Sequence, residues 1–243
     1  MARAVRVKPP SEKSAPAATA SATRSRPLSA RRAAESARVA AIVDGLAALY
    51  PDAHCELDFE TPFQLLTATI LSAQCTDKRV NLVTPTLFAK YPTAAKMATA
   101  TAKQIEPIIQ STGFYRNKAK SIVGAATVIM EDFDGELPRT MDELLTLPGV
   151  ARKTANVVLG SAYGLDEGFV VDTHVMRLSA RLKLTSETEP VKIERDLCAI
   201  LPRGKWTLLG HQLIWHGRRV CFARKPACHQ CALLPHCPSA NKV

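Results

Sequence analysis

The sequence predicts an all-α protein, and three observations carry that prediction. From about Ala33 onward, apolar residues recur at three- and four-residue spacing, the mark of a helix with one buried face. No stretch sustains the alternation of a half-buried strand. The connecting turns are short and carry Gly, Pro or Asp. At 243 residues with 47% hydrophobic composition, the chain can bury one substantial core or two modest ones.

The first helix is AESARVAAIVDGLAALYP, which stops at Pro51 as a helix should. TPFQLLTATILSAQCT carries enough Thr and Ile to read as a strand, but its length and polar punctuation favour a buried helix. NLVTPTLFAKY, TAKQIEPIIQSTG, NKAKSIVGAATVIMEDF and TMDELLTL repeat the helical spacing. So do ARKTANVVLGSAYG, THVMRLSARLKL, EPVKIERDLCAIL and WTLLGHQLIWHGRRVC. No uncharged apolar run approaches the roughly 18 residues of a membrane-spanning helix, so no membrane partner is expected.

Net charge is +10, and its distribution matters more than its total. Residues 1–32 hold eight Lys/Arg against the single Glu12, and are rich in Ala, Ser and Pro; a disordered basic tail is expected there. An Arg-rich, acid-poor transit peptide fits the same letters, with the nucleic-acid-holding tail preferred. After Asp196 there is no acid, while Arg203, Lys205, Arg218, Arg219, Arg224, Lys225 and Lys242 all follow it. One end of the folded body is therefore expected to be positive, with nucleic acid its natural partner. The segment lacks a secretory core, so a reducing, cytoplasmic setting is expected.

Four of the seven cysteines, Cys221, Cys228, Cys231 and Cys237, fall within seventeen residues as C-x6-C-x2-C-x5-C. That density suggests a metal site. One short pair flanked by wider single steps suits the four corners of an iron-sulfur cubane somewhat better than zinc, and leaves both open. Cys55, Cys75 and Cys198 read as buried free thiols.

TMDELLTLPGVARKTANVVLG is a helix, a sharp turn at Leu147-Pro148-Gly149, and a second helix from about Val150, or a helix-hairpin-helix at about 141–160. Pro148 fixes one turn dihedral and Gly149 allows a backbone shape and a close approach that a side chain would block. The second helix then offers free N–H groups to a DNA phosphate. A plain helical corner with Lys153 as a solvated residue fits the hairpin equally well. Nineteen residues on, the triplet DTH puts Asp172 where a helix N-cap is expected, which holds its carboxylate rigidly and near enough in sequence to face Lys153.

On these residues the chain resembles endonuclease III, a family of helix-hairpin-helix DNA glycosylases and abasic-site lyases with a 4Fe-4S cluster. The likeness runs from about Ala33 to Cys237. It is carried by LSAQCTDKRVN at 71–81, LPGVARKTANVV at 147–158, VDTHVMR at 171–177, and the four cysteines with their ARKP insert at 223–226. The resemblance implies a six-helix domain over 55–165 and a discontinuous iron-sulfur domain over 33–54 and 166–239. It makes Lys153 the catalytic lysine, Asp172 the catalytic aspartate, and Gln74 the side chain that fills the gap left by an extruded nucleotide. It puts further DNA contacts at Leu147, Pro148, Gly149, Val150, Ala151, Arg152, His174, Arg224 and Lys225, and the cluster on Cys221, Cys228, Cys231 and Cys237. Two departures stand out. Ala151 occupies a place where the hairpin usually has a second glycine, and Cys75 replaces what is often alanine.

The resemblance implies excision of oxidised pyrimidines from double-stranded DNA, then β-elimination 3′ to the abasic site through a lysine Schiff base, by a monomer. A lysine in a helix's first turn feels the positive end of the macrodipole, which disfavours its ammonium form and suits a nucleophile. The cluster's expected role is to pin the loop that turns Arg224 and Lys225 toward phosphates. The alternatives are a mismatch adenine glycosylase, against which Lys153 argues, and a non-catalytic iron-sulfur DNA-binding protein.

Overall fold

The structure is a computed structural model that describes residues 28–242. Among the described residues the regular elements are all helical. Eleven α-helices run α1 Leu28–Leu49, α2 Pro62–Leu71, α3 Asp77–Lys90, α4 Ala94–Ala98, α5 Ala102–Ile109, α6 Tyr115–Asp132, α7 Met141–Leu144, α8 Arg152–Tyr163, α9 Thr173–Arg181, α10 Pro190–Ile200 and α11 Trp206–Arg219. Short 3-10 turns lie at Gln110–Thr112, Cys228–Gln230 and Leu234–His236.

Threonine starts most of the first eight helices. The hydroxyls of Thr61, Thr76, Thr93 and Thr140 accept from the N–H groups of Gln64, Arg79, Lys96 and Glu143, and Thr101 forms a reciprocal box with Gln104. Each such cap contributes about 1 kcal/mol and fixes where a helix begins.

Two hydrophobic clusters divide the chain. The first gathers residues from Leu57 to Val170, among them Leu65, Leu66, Val80, Leu87, Ile105, Ile122 and Val158. In the second, Val39, Ile42 and Leu46 of α1 meet Phe169, Leu178, Leu197, Leu213 and Leu233. The described residues thus begin and end in one layer, with α2–α8 inserted between, because the apolar faces of α1 and α11 have each other as partners.

Three details differ from the sequence expectation. Helix α1 starts at Leu28, five residues inside the expected tail, whose residues 1–27 lie outside the described residues. Helix α4 was not foreseen, since five residues capped by Thr93 are too few to show a period. The second hairpin helix begins at Arg152 rather than near Val150, because Val150 is drawn into the turn by its N–H bond to the Leu147 carbonyl.

Candidate active site, hairpin and cysteine cavity

The turn between α7 and α8 is anchored from below by Leu147 and Val150, only 2% and 8% exposed. Pro148 packs on Gly124 of α6. Gly149 is required twice: its φ of +79° is left-handed, and a Cβ there would stand 2.5 Å from the Ser121 Cβ. Ala151, the N-cap of α8, is extended at φ −104° and ψ 168°, a conformation any residue adopts. The missing second glycine therefore costs the backbone nothing. Having no hydroxyl, Ala151 also leaves the first-turn N–H groups of α8 without a side-chain cap, open to an external acceptor.

Lys153 is the second residue of α8, and Asp172 is the N-cap of α9, its Oδ1 accepting from the Val175 N–H at 2.8 Å. Both line one cleft, together with His54, Asp77, His211 and Arg218. Its walls come from both clusters, with Val157 and Val170 on one side and Ile214 packed against each. Arg218 bridges Asp77 at 2.7 Å and Glu56, joining α11 to the start of α3. Burial, with Arg218 and His54 adding to it, pushes the His211 imidazole down to about 4, so it is neutral near pH 7 while its Nε2 sits 3.1 Å from the Ser161 hydroxyl.

Gln74 occupies the connection between α2 and α3, exposed, with a left-handed φ of 53°. Non-glycine residues hold that conformation at a cost of about 1–3 kcal/mol, and such strain gathers at functional sites.

The four C-terminal cysteines line one cavity with Leu178, Arg181 and His216. Four thiols spread around a cavity fit a cubane, which takes one thiolate at each corner. Two of them meet polar side chains: Arg181 Nη1 donates to Cys221 Sγ at 3.3 Å, and His216 Nε2 lies 3.4 Å from Cys231 Sγ.

Residues 67–203 match the profile of the HhH-GPD superfamily of base excision DNA repair proteins, a span that holds the hairpin and both Lys153 and Asp172 of the cleft. The chain belongs to that family. Within it, the chain is 56% identical to endonuclease III of Synechocystis over 87% of this chain and 96% of the relative. It is 43% identical to endonuclease III of Bacillus subtilis over 82% and 91%. A trapped covalent intermediate of an endonuclease III with DNA superposes with a TM-score of 0.81 at 42% identity, covering 85% of this chain and 97% of that one. This endonuclease III homologue is a base-excision repair DNA glycosylase and abasic-site lyase with the helix-hairpin-helix fold.

The cleft brings together Lys153 and Asp172, whereas Gln74, the hairpin, and the exposed Arg224 and Lys225 stand at separate points of the surface. Two expected DNA-contacting side chains have partners within the protein while staying partly exposed. Arg152 grips Glu194 with Nε and Nη2 at 2.7 and 3.0 Å, and His174 turns its Nδ1 to Arg177 at 3.1 Å against Gly217. Each has a fixed partner within the protein, while the Arg152 side chain stays 42% exposed with its Nη1 outside the Glu194 pair. Leu147 and Val150, being buried, offer backbone alone. Cys55, Cys75 and Cys198 are free but half-buried rather than buried, with burial raising the thiols of Cys55 and Cys198 to about 11. Sequence reasoning missed Arg218, Glu56 and Asp77 in the cleft; ion pairs spanning more than 140 residues leave no local pattern. No described helix is long and apolar enough to cross a membrane.

Proposed function

We propose that this enzyme removes oxidised pyrimidines from duplex DNA and cuts the strand 3′ to the resulting abasic site, with Lys153 as nucleophile. The observation that carries the reading is the shared cleft: an amine in the first turn of α8 and a carboxylate locked by capping α9 face one space between two rigid cores. The relatives named endonuclease III, and the trapped covalent DNA intermediate among them, support it.

A glycosidic carbon is hidden inside a duplex, so the damaged nucleotide must leave the stack, at a cost of about a few kcal/mol that is smallest for a weakly paired base. Gln74, carried outward on its strained loop, fills the gap. The free amine of Lys153 attacks C1′; the new N–C1′ bond forms as the glycosidic bond breaks, and the base leaves with that electron pair and takes up a proton. Asp172 has one oxygen in the cap and its other oxygen available to the positive charge growing on the sugar. Ring opening gives a protonated Schiff base. Loss of a C2′ proton then expels the 3′ phosphate by β-elimination, and water releases Lys153.

The uncapped N–H groups of α8 and Gly149 seat one phosphate, and Arg224 and Lys225 seat others. Cys221, Cys228, Cys231 and Cys237 hold a 4Fe-4S cluster, which when bound supplies a rigid cross-link and a redox-capable centre. The first hydrophobic cluster then corresponds to the six-helix domain and the second to the iron-sulfur domain. The protein acts as a monomer in a reducing compartment.

Borohydride reduction on a duplex with one abasic site tests the reading. Wild-type protein forms a covalent adduct and Lys153→Ala forms none, while retaining duplex binding through the hairpin backbone. An adduct of normal yield in Lys153→Ala rejects the assignment.

A further inference from the structure

Lys118, on α6, is a buried ammonium that none of the steps above uses; it is 5% exposed. Its Nζ donates to the carbonyl of Leu71 and to the carbonyl of Thr112, each at 2.8 Å. Among the described residues no carboxylate pairs with it. An ammonium enclosed with carbonyls alone is a costly way to fill space, since Met would pack there without desolvating a charge. What it secures are two chain ends. Leu71 closes α2, whose final carbonyls have no helical partner, and Thr112 closes the 3-10 turn before α6.

Each anchored carbonyl lies just before a strained, exposed residue. Three residues after Leu71 is Gln74, at φ 53°; two residues after Thr112 is Phe114, at φ 49° and 64% exposed. Left-handed backbone at non-glycine positions persists only where the surroundings over-determine it. The two loops are nearly forty residues apart in sequence, and one side chain ties both. Burial weakens the hold of Lys118 on its proton, which accords with a group enclosed by dipoles rather than by counter-charges.

We infer that Lys118 is a positioning residue for nucleotide extrusion: by clamping the Leu71 and Thr112 carbonyls it holds the Gln74 loop at a set place beside the Phe114 turn. The inference rests on the reading of Gln74 as the residue that fills the vacated stack. It predicts a defect that depends on whether the damaged base must be pulled out of a pair, since a residue needed only for folding would slow every substrate alike.

Single-turnover excision of thymine glycol decides it, measured once in a fully paired duplex and once with the lesion in a one-nucleotide bulge. Lys118→Met is expected to slow the paired substrate about tenfold or more and the bulged one by about twofold at most, because a base that is already unpaired needs little extrusion. Gln74→Ala, run alongside, is expected to show the same selectivity. Equal slowing of both substrates by Lys118→Met, with Gln74→Ala still selective, overturns the role of Lys118 alone. Loss of selectivity in Gln74→Ala overturns the gap-filling reading and the inference with it. Should Lys118→Met fail to fold, Lys118→Gln keeps a neutral NH2 donor and carries the same comparison, with equal slowing again the overturning result.

Discussion

The hairpin at 147–152 and the cysteine loop at 221–237 are held in opposite ways. The hairpin is fastened by its own residues: a Val150 N–H to Leu147 carbonyl bond of 3.1 Å, two buried aliphatic anchors, and a glycine fitted against the neighbouring α6. The cysteine loop has two short 3-10 turns and local backbone bonds such as Ala227 N–H to the Val220 carbonyl at 3.0 Å, and adds ties from distant guanidinium groups. Arg181 of α9 donates to the Phe222 and Ala223 carbonyls at 2.7 and 3.0 Å, Arg177 to the Cys221 carbonyl at 3.2 Å, and Arg38 of α1 to the His236 carbonyl at 3.1 Å. The difference teaches where each region is vulnerable. A self-contained turn fails through its own backbone, whereas a clamped loop fails when a long-range tie is cut.

The largest effect is expected from cutting the tie that the proposed cluster would make among the four thiolates. In Cys228→Ser, iron per chain should fall well below the roughly four of a full cubane, and the yellow-brown absorbance should fade with it. Since metal-binding energy is also folding energy, limited proteolysis should then cut within 221–237 while α7 and α8 stay protected. Full iron content in Cys228→Ser would contradict the ligand set. Equal proteolysis of hairpin and loop would erase the contrast between them.

This contrast also explains what was legible in the sequence. The hairpin and the Asp172 cap follow from short-range rules, because Pro-Gly turns, caps and helical periods are written within a dozen residues, whereas Lys153 and Asp172, nineteen residues apart, meet only through the fold. The cysteine spacing pointed to a metal and by itself left its kind open; the resemblance implied a cubane, and the one cavity lined by all four thiols accords with it. Illegible features are those made by residues far apart. Arg152 is expected only as a DNA contact, and its pairing through Nε and Nη2 with Glu194, 42 residues on, has no local mark. Lys118 carries no signal beyond a lysine in an apolar helix, since both carbonyls it holds belong to other segments.

A smaller effect is expected at the hairpin. Gly149→Ala forces a left-handed alanine and sets its Cβ against Ser121, with 2.5 Å available to the nearest carbon. Strain of about 1–3 kcal/mol should appear as a lower midpoint in thermal unfolding. DNA affinity should fall together with stability, because the same turn aims the first-turn N–H groups of α8. An alanine variant with unchanged stability but weakened DNA binding would show that the glycine serves phosphate approach alone. Iron content is expected to stay at the wild-type level, which separates this failure from that of the loop.

The smallest effect belongs to the charges at the tip of the cysteine loop. Arg224 and Lys225 are exposed, and Lys225 sits at a left-handed φ of 50°. Lys225→Ala keeps a Cβ and so leaves that backbone strain unchanged, while Arg181 continues to hold Phe222 and Ala223 from behind. The substitution therefore removes a charge without moving the loop. If Lys225 seats a phosphate, affinity should drop nearly equally for damaged and undamaged duplex, because phosphates carry no lesion information. The slope of log affinity against log salt should lose about 0.9 in magnitude, and single-turnover cleavage at saturating enzyme should stay near wild type. The residue lies in the acid-free region after Asp196, so no nearby carboxylate of that segment competes for it. An unchanged salt slope with iron fully retained would make Arg224 and Lys225 solvated loop charges. The cysteine loop would then be clamped for the stability of its own layer, and DNA docking would fall to the hairpin.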